Sequence, residues 1–512
     1  MLSQMMCLNL SKCIKKQCND LYISCFRERG RFVATENVGS KYVKAGVGYT
    51  VGNYLLKGIS FFTLPLFVRL MTTADYGDFN TYAAYESIFC VIVGLALHSS
   101  LKNAKYKYKS PGEFESYISS CVIIGLVSTI VFLALANITY PLYSGVLDMT
   151  RLVFNLLIIE SFSVSSITLY NVYISLSYRY KSFLIVSFIN VLANIALSLL
   201  LMFSLYENDR YMARVLGTAI PVIIIAAVIN INFIRIGKIR IVPEHWKYAL
   251  TFSVPLIFHG VSQVILSQFD RIMIKTLTGA ENAGVYGFAY SIGSLVFVTS
   301  TSLQQVWSPW FYEKMEEKNY GAIKDRGNLF SFGMFLFVAC VILGAREVIS
   351  VLGTESYIES VYYLIPILVG GYFSFLYNLP AQVEYYYEKT KYIAVGTCIA
   401  AALNIIMNYF GVLWFGPIAA AYTTVIIYGV YFCIHFQIAK RVHGKSLFSA
   451  KKIGIYASLL IIIGALALLL NDNWLARWGL LLVLGILLFL WLQRTFNFAN
   501  LLQTKLFRRK KT

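Results

Sequence analysis

Fourteen apolar runs, each long enough to cross a lipid bilayer, constrain this chain more than any other feature. A helix rising about 1.5 Å per residue needs roughly 20 mostly apolar residues to traverse a hydrocarbon core of about 30 Å. Such runs occupy about 45–70, 81–101, 116–138, 151–178, 183–205, 211–234, 247–269, 284–307, 328–345, 361–383, 392–412, 417–437, 453–470 and 474–492. Several connections are shorter than ten residues, so no soluble domain interrupts the series. Of 512 residues 58% are hydrophobic and only 13% charged, with a mean hydropathy of +0.65, which leaves too little polar surface for a soluble protein. An all-α polytopic membrane protein is expected.

The distribution of basic residues tests this count. With the N-terminus in the cytoplasm and alternate loops following, cytoplasmic segments hold 35 of the 44 Lys and Arg and outer segments seven; Lys57 and Arg214 fall inside spans. The acids divide 12 to 11, with Glu86 and Glu160 inside spans, so the asymmetry belongs to the basic residues alone, as the positive-inside rule requires. Both termini are therefore expected in the cytoplasm. The net charge of +19 is spread over loops such as "KNAKYKYK" (102–109) and "KRVHGK" (440–445), which excludes a nucleic-acid-binding domain. The nine cysteines form no CxxC pair, and Cys7, Cys13, Cys18 and Cys25 lack zinc spacing. Residues 1–44 carry eight Lys or Arg without the apolar core of a signal peptide, and read as a basic cytoplasmic extension. The chain has no Gly-rich phosphate loop ending in Lys, no HExxH and no nucleophile elbow. It reads as neither an enzyme nor a cofactor protein, driven by an H+ or Na+ gradient, the membrane potential or the substrate gradient.

Two stretches read alike: "FVRLMTTADYGDFNTYAAYESI" (67–88) and "FDRIMIKTLTGAENAGVYGFAYSIG" (269–293). Each runs Arg, an aliphatic residue and Met into a short polar connection, then Gly77 or Gly284, then a helix opening with Tyr and small residues. They stand at the first-to-second and seventh-to-eighth connections, where a duplicated six-helix unit would put them. Such copies would be parallel repeats about an axis along the membrane normal. The expected units are 45–240 (spans one to six), 241–440 (spans seven to twelve) and 441–512 (two further spans and a basic tail).

With "NIIMNYFGVLWFGPIAAAYTT" (404–424), these stretches carry a resemblance over about 45–440 to polysaccharide flippases of the Wzx type, in the superfamily that also holds MATE exporters and lipid II flippases. Pro417 departs from the family's more usual Gly, at a position a helix's first turn tolerates. The resemblance implies two six-helix lobes around a central cavity, with two helices appended. It also implies alternating-access movement of undecaprenyl-diphosphate-linked oligosaccharides from the cytoplasmic to the outer leaflet of a bacterial cytoplasmic membrane. The partners would be that cargo, membrane lipids, a polysaccharide polymerase and a chain-length regulator, with the chain acting as a monomer. Two alternatives stand beside it: a cation-coupled multidrug or metabolite exporter, wanting a deep carboxylate such as Glu160, and a lipid II flippase, wanting several cavity arginines.

An ionisable group at mid-bilayer costs about 2.5–3.5 kcal/mol on insertion scales, so it faces a cavity or a partner. Lys57, near the middle of the first span, is a candidate for binding a diphosphate or acidic sugar, as are Arg214, Arg69 and Arg271; the alternative for each is a structural or interfacial charge. Glu86 and Glu160 are candidates for coupling or for pairing with those bases, and His259, four residues after Pro255, for a proton role or for plain packing. Asp270 and Arg271 are adjacent in an apolar run. Adjacent helical residues diverge by about 100°, so the two cannot easily neutralise each other along one helix. They are expected near the outer end of the seventh span, mirroring Arg69, as an outer gate with Glu86 or as the securing of a helix end.

Overall fold

The computed structural model describes residues 61–496, apart from 148, 178 and 239–241, together with Gly52, Leu55, Gly58 and Ile59. Among the described residues there are sixteen α-helices and no strand. The first seven are α1 (Phe61–Leu70), α2 (Thr73–Val93), α3 (Leu101–Lys107), α4 (Glu113–Leu147), α5 (Arg151–Ser175), α6 (Tyr180–Met202) and α7 (Arg210–Gly237). A second group is α8 (Pro243–Thr278), α9 (Ala280–Glu316), α10 (Tyr320–Leu343), the short α11 (Ala345–Leu352), α12 (Ser360–Tyr386), α13 (Thr390–Phe415) and α14 (Ile418–His443). Two more, α15 (Ala450–Leu469) and α16 (Trp474–Phe496), complete the chain. Twelve helices are long and apolar enough to span, and a thirteenth span is α2 continued past a 51° bend at Leu97–Lys107. Of the first apolar run the described residues show the ten-residue α1, its earlier residues lying mostly outside the described portion; the other thirteen expected spans each have a counterpart.

Local chemistry sets the helix ends. Thr72 and Asp75 form a reciprocal capping box that starts α2 at Thr73, eight residues before the apolar run begins. Asp209, Asn319 and Ser449 cap α7, α10 and α15 singly, each side chain accepting one backbone N–H of the first turn. Gly279, at φ 97°, alone joins α8 to α9. The polar connection expected between the seventh and eighth spans is therefore helical, and α8 does not end near Asp270 but runs on to Thr278. At about 54 Å for 36 residues it outreaches the hydrocarbon, which leaves its polar last turns, with Lys275, beyond the apolar layer.

Helices α2 and α4–α7 pack together as one lobe; α8, α9 and α12–α14 form the other. The main seam between them is α2 against α8 and α9. The pair α15–α16 docks on α10 and α12 rather than on either side of the seam. Arg477 of α16 secures it with two 2.7 Å hydrogen bonds to Glu347 of α11, and Trp491 lies over Gly333 and donates to the Leu329 carbonyl. Phe188, Ile189 and Leu192 of α6, with Leu482, Val483 and Ile486 of α16, point away from the protein. Such faces belong against hydrocarbon, and the chain is a multi-pass membrane protein.

Candidate functional site: a cavity between the lobes, closed at one end

The seam encloses a cavity of about 370 Å³ lined by α1, α2, α6 and α7 of one lobe and by α8 and α9 of the other. Each lobe places one arginine in it: Arg214 from α7 and Arg271 from α8. The Arg214 guanidinium is sandwiched 3.8 Å from the Phe67 ring and 4.9 Å from Phe79, and donates to Asn194 Oδ1 and Ser198 Oγ. Arg271 lies 4.3 Å over the Tyr290 ring, is 8% exposed, and has a buried Nε without a hydrogen-bond partner. Stacking on aromatic faces holds both charges without neutralising them. Asn190, Asn194, Gln268, Ser291 and Ser294 supply hydrogen-bonding groups, and no carboxylate is among the described lining residues. The cavity is thus a positively charged chamber with apolar walls, suited to an anion that carries hydroxyls.

Asp270 is turned the other way. It is 1% exposed within its own lobe, accepting from Tyr286 Oη (2.7 Å), Asn408 Nδ2 (2.6 Å) and Thr424 Oγ1 (3.2 Å). These donors come from α9, α13 and α14, so the carboxylate ties three helices to α8 and makes no contact across the seam. Arg69 is exposed, outside the cavity lining, and donates at 3.0 Å to the carbonyl of Val351 on α11, a bridge between the lobes. Glu160, buried in α5, accepts from Tyr82 Oη at 2.6 Å and feels the charge of Arg214. Glu86 lies in the same electrostatic neighbourhood, with a buried Oε1 that has no hydrogen-bond partner. His259 is half-buried in mid-α8 with an unpartnered Nδ1, away from the cavity lining. Lys57 lies outside the described residues.

The basic-poor end of the cavity, where α2 and α9 begin, is closed by residues that the charge pattern alone did not single out. Asp78 of α2 pairs with Lys275 of α8 at 2.7 Å across the seam. Tyr76 reaches over it, its Oη 3.3 Å from Ser291 Oγ and its ring edge-on to Tyr357 at 6.2 Å. Beneath these, α2 crosses α9 with their backbones touching: a Cβ on Gly77 would overlap the Ala280 carbonyl, and one on Gly284 the Thr73 carbonyl. The contact is reciprocal, first residue of one helix against the glycine of the other. The signal for the ion pair was present in the quoted repeat: a T-x-x-D box at 72–75 moves the helix start upstream and puts Asp78 on a helix rather than a loop. A second missed group is Glu384 with His435, both fully buried and 2.6 Å apart within the second lobe.

Comparison with known proteins agrees with this architecture. A family model described as polysaccharide biosynthesis protein matches residues 43–315. A curated relative from the Lsg locus of Haemophilus influenzae is 22% identical over 384 residues, 71% of this chain and 90% of its own. Among solved structures, the lipid II flippase MurJ in an inward closed conformation superposes with a TM-score of 0.65 at 15% identity, covering 89% of this chain and 99% of its own. An inward-facing multidrug resistance MATE family transporter of the MOP superfamily gives 0.62 at 12% identity, covering 76% and 94%. At such identities the structural likeness establishes a shared fold.

Proposed function

This chain belongs to the polysaccharide biosynthesis protein family, and from that premise we propose that it is a flippase for polyprenyl-diphosphate-linked oligosaccharides, of the undecaprenyl type. It would carry repeat units from the inner to the outer leaflet of a bacterial cytoplasmic membrane, with both termini in the cytoplasm and the basic-poor end outward. The observation that supports this most directly is the pair of arginines, one per lobe, in a chamber without a lining carboxylate. A diphosphate needs paired cations in a low-dielectric site, where the attraction exceeds its value in water severalfold. The same charge pattern argues against a cationic drug as cargo. Neutral amides and hydroxyls beside the arginines match sugar hydroxyls.

Movement follows from the seam. Opening the basic-poor end requires parting Asp78 from Lys275, lifting Tyr76 from Ser291 and Tyr357, and separating α2 from α9 where they cross. Coupling to H+ or Na+ falls to Glu86 and Glu160, two neighbouring carboxylates whose repulsion a bound cation relieves. In proteoliposomes carrying a fluorescent polyprenyl-diphosphate oligosaccharide, Arg271→Gln is expected to lower the flipping rate at least about tenfold, the loss of one charge-assisted contact, while folded protein is unchanged. Arg271→Lys should retain an intermediate rate. Flipping at the wild-type rate in the Gln variant would overturn this assignment of the cavity.

A further inference from the structure

A second cavity, of about 550 Å³, lies at the basic-rich end, on the side of the second lobe where α15 joins it. Its walls come from the end of α9 (Trp310), the first turns of α10 (Asp325, Arg326, Asn328) and the first turns of α15 (Lys452, Tyr456). Arg326 stacks on Trp310, with 5.1 Å between the guanidinium carbon and the ring centroid. Neither Arg326 nor Lys452 enters an ion pair among the described residues. Asn328 opens on the same space, 7% exposed, with a buried Oδ1 that has no hydrogen-bond partner. An unpartnered buried carboxamide costs about 1–3 kcal/mol, which a ligand hydroxyl would relieve.

We propose that this pocket binds the phosphodiester of an anionic phospholipid, with Arg326 and Lys452 on the phosphate and Asn328 on a headgroup hydroxyl. The placement suits this ligand: the pocket opens where two spans start, at the level of lipid headgroups, between helices rather than on a loop. Basic pockets between spans are recurrent headgroup sites, and Trp and Tyr are the residues that favour this depth. The ligand would bridge α10 and α15, clamping the appended helix pair onto the lobe. The site lies outside the central cavity and holds whatever the cargo.

The test uses the full-length protein purified in detergent and titrated with phosphatidylglycerol, phosphatidylcholine or inorganic phosphate, reading the thermal midpoint and the Kd from its saturation. Phosphatidylglycerol should raise the midpoint, phosphatidylcholine much less, and Arg326→Gln/Lys452→Gln should weaken the Kd about thirty-fold, the loss of two charges near the membrane surface. Asp325→Asn, which removes the one acid from the pocket, should tighten binding and guards against a double variant that fails to fold. Equal stabilisation by phosphatidylcholine, or an unchanged Kd in both the double variant and Asp325→Asn, would overturn the proposal. If inorganic phosphate alone raises the midpoint as much as phosphatidylglycerol at equal concentration, the anion site stands and the lipid as its source is rejected.

Discussion

Asp270 and Arg271 share a peptide bond but no hydrogen bond, and their side chains part into different surroundings. The 100° step of the helix sends the acid into its own lobe, where three donors saturate it, and the base into the chamber between lobes, where its Nε is unpartnered. The adjacency of the two charges, and that they would diverge, was legible in "FDRIMI". Which faced the seam was not, because the choice depends on the rotation of α8 against α9, α13 and α14. The two should separate cleanly on substitution. Asp270→Ala leaves Tyr286, Asn408 and Thr424 pointing at an empty site and is expected to cost about 2–5 kcal/mol, read as a large fall in folded yield and thermal midpoint. Arg271→Gln should melt close to wild type. Equal destabilisation of both variants would mean that Arg271 also holds the fold together.

Among the helices, α2 and α9 carry the seam, and their geometry rests on two glycines. A backbone-to-backbone approach of this kind is the small-residue packing that membrane helices use when no hydrophobic force drives them together. Gly77 and Gly284 were picked out in the sequence as matching points of a weak repeat; that they touch each other is a property of the folded molecule. Hydropathy placed most span ends to within a few residues; α4, α8, α9 and α10 extend eight or nine residues past it at one end, and α2 starts eight residues before it because Asp75 and Asp78 break the apolar run. Those acids belong to a turn that lies outside hydrocarbon yet stays helical through its Thr72 cap. Gly77→Val should force α2 and α9 apart at this end. Spin labels near the starts of the two helices would then report a longer distance than in the parent, with the rest of the bundle unchanged. An unaltered distance distribution would show that the crossing does not hold the closed state.

Taken as a whole, the molecule is two lobes joined along one seam, with a third unit on the flank. Closure of the basic-poor end depends on a handful of cross-lobe contacts, among which Asp78–Lys275 is an ion pair, its side chains 29% and 14% exposed. An ion pair so placed is worth about 1 kcal/mol, a shift of about fivefold between closed and open populations. Asp78→Lys should therefore favour the open state in the same distance measurement, and Asp78→Lys with Lys275→Asp should restore much of the closed population. A double variant no more closed than the single would remove the pair from the lock. The number of spans and their order could be read from the linear chain, because hydropathy is a sum over neighbouring residues. Arg214 and Arg271 could be named as candidates for a cavity; that these two alone of the candidate bases meet in one chamber among the described residues, and the seal that closes it, could not. Chamber and seal join α7 to α1, α2 and α6, and α2 to α8, α9 and Tyr357, over separations of up to about 280 residues, and such pairings come into being only when the lobes pack.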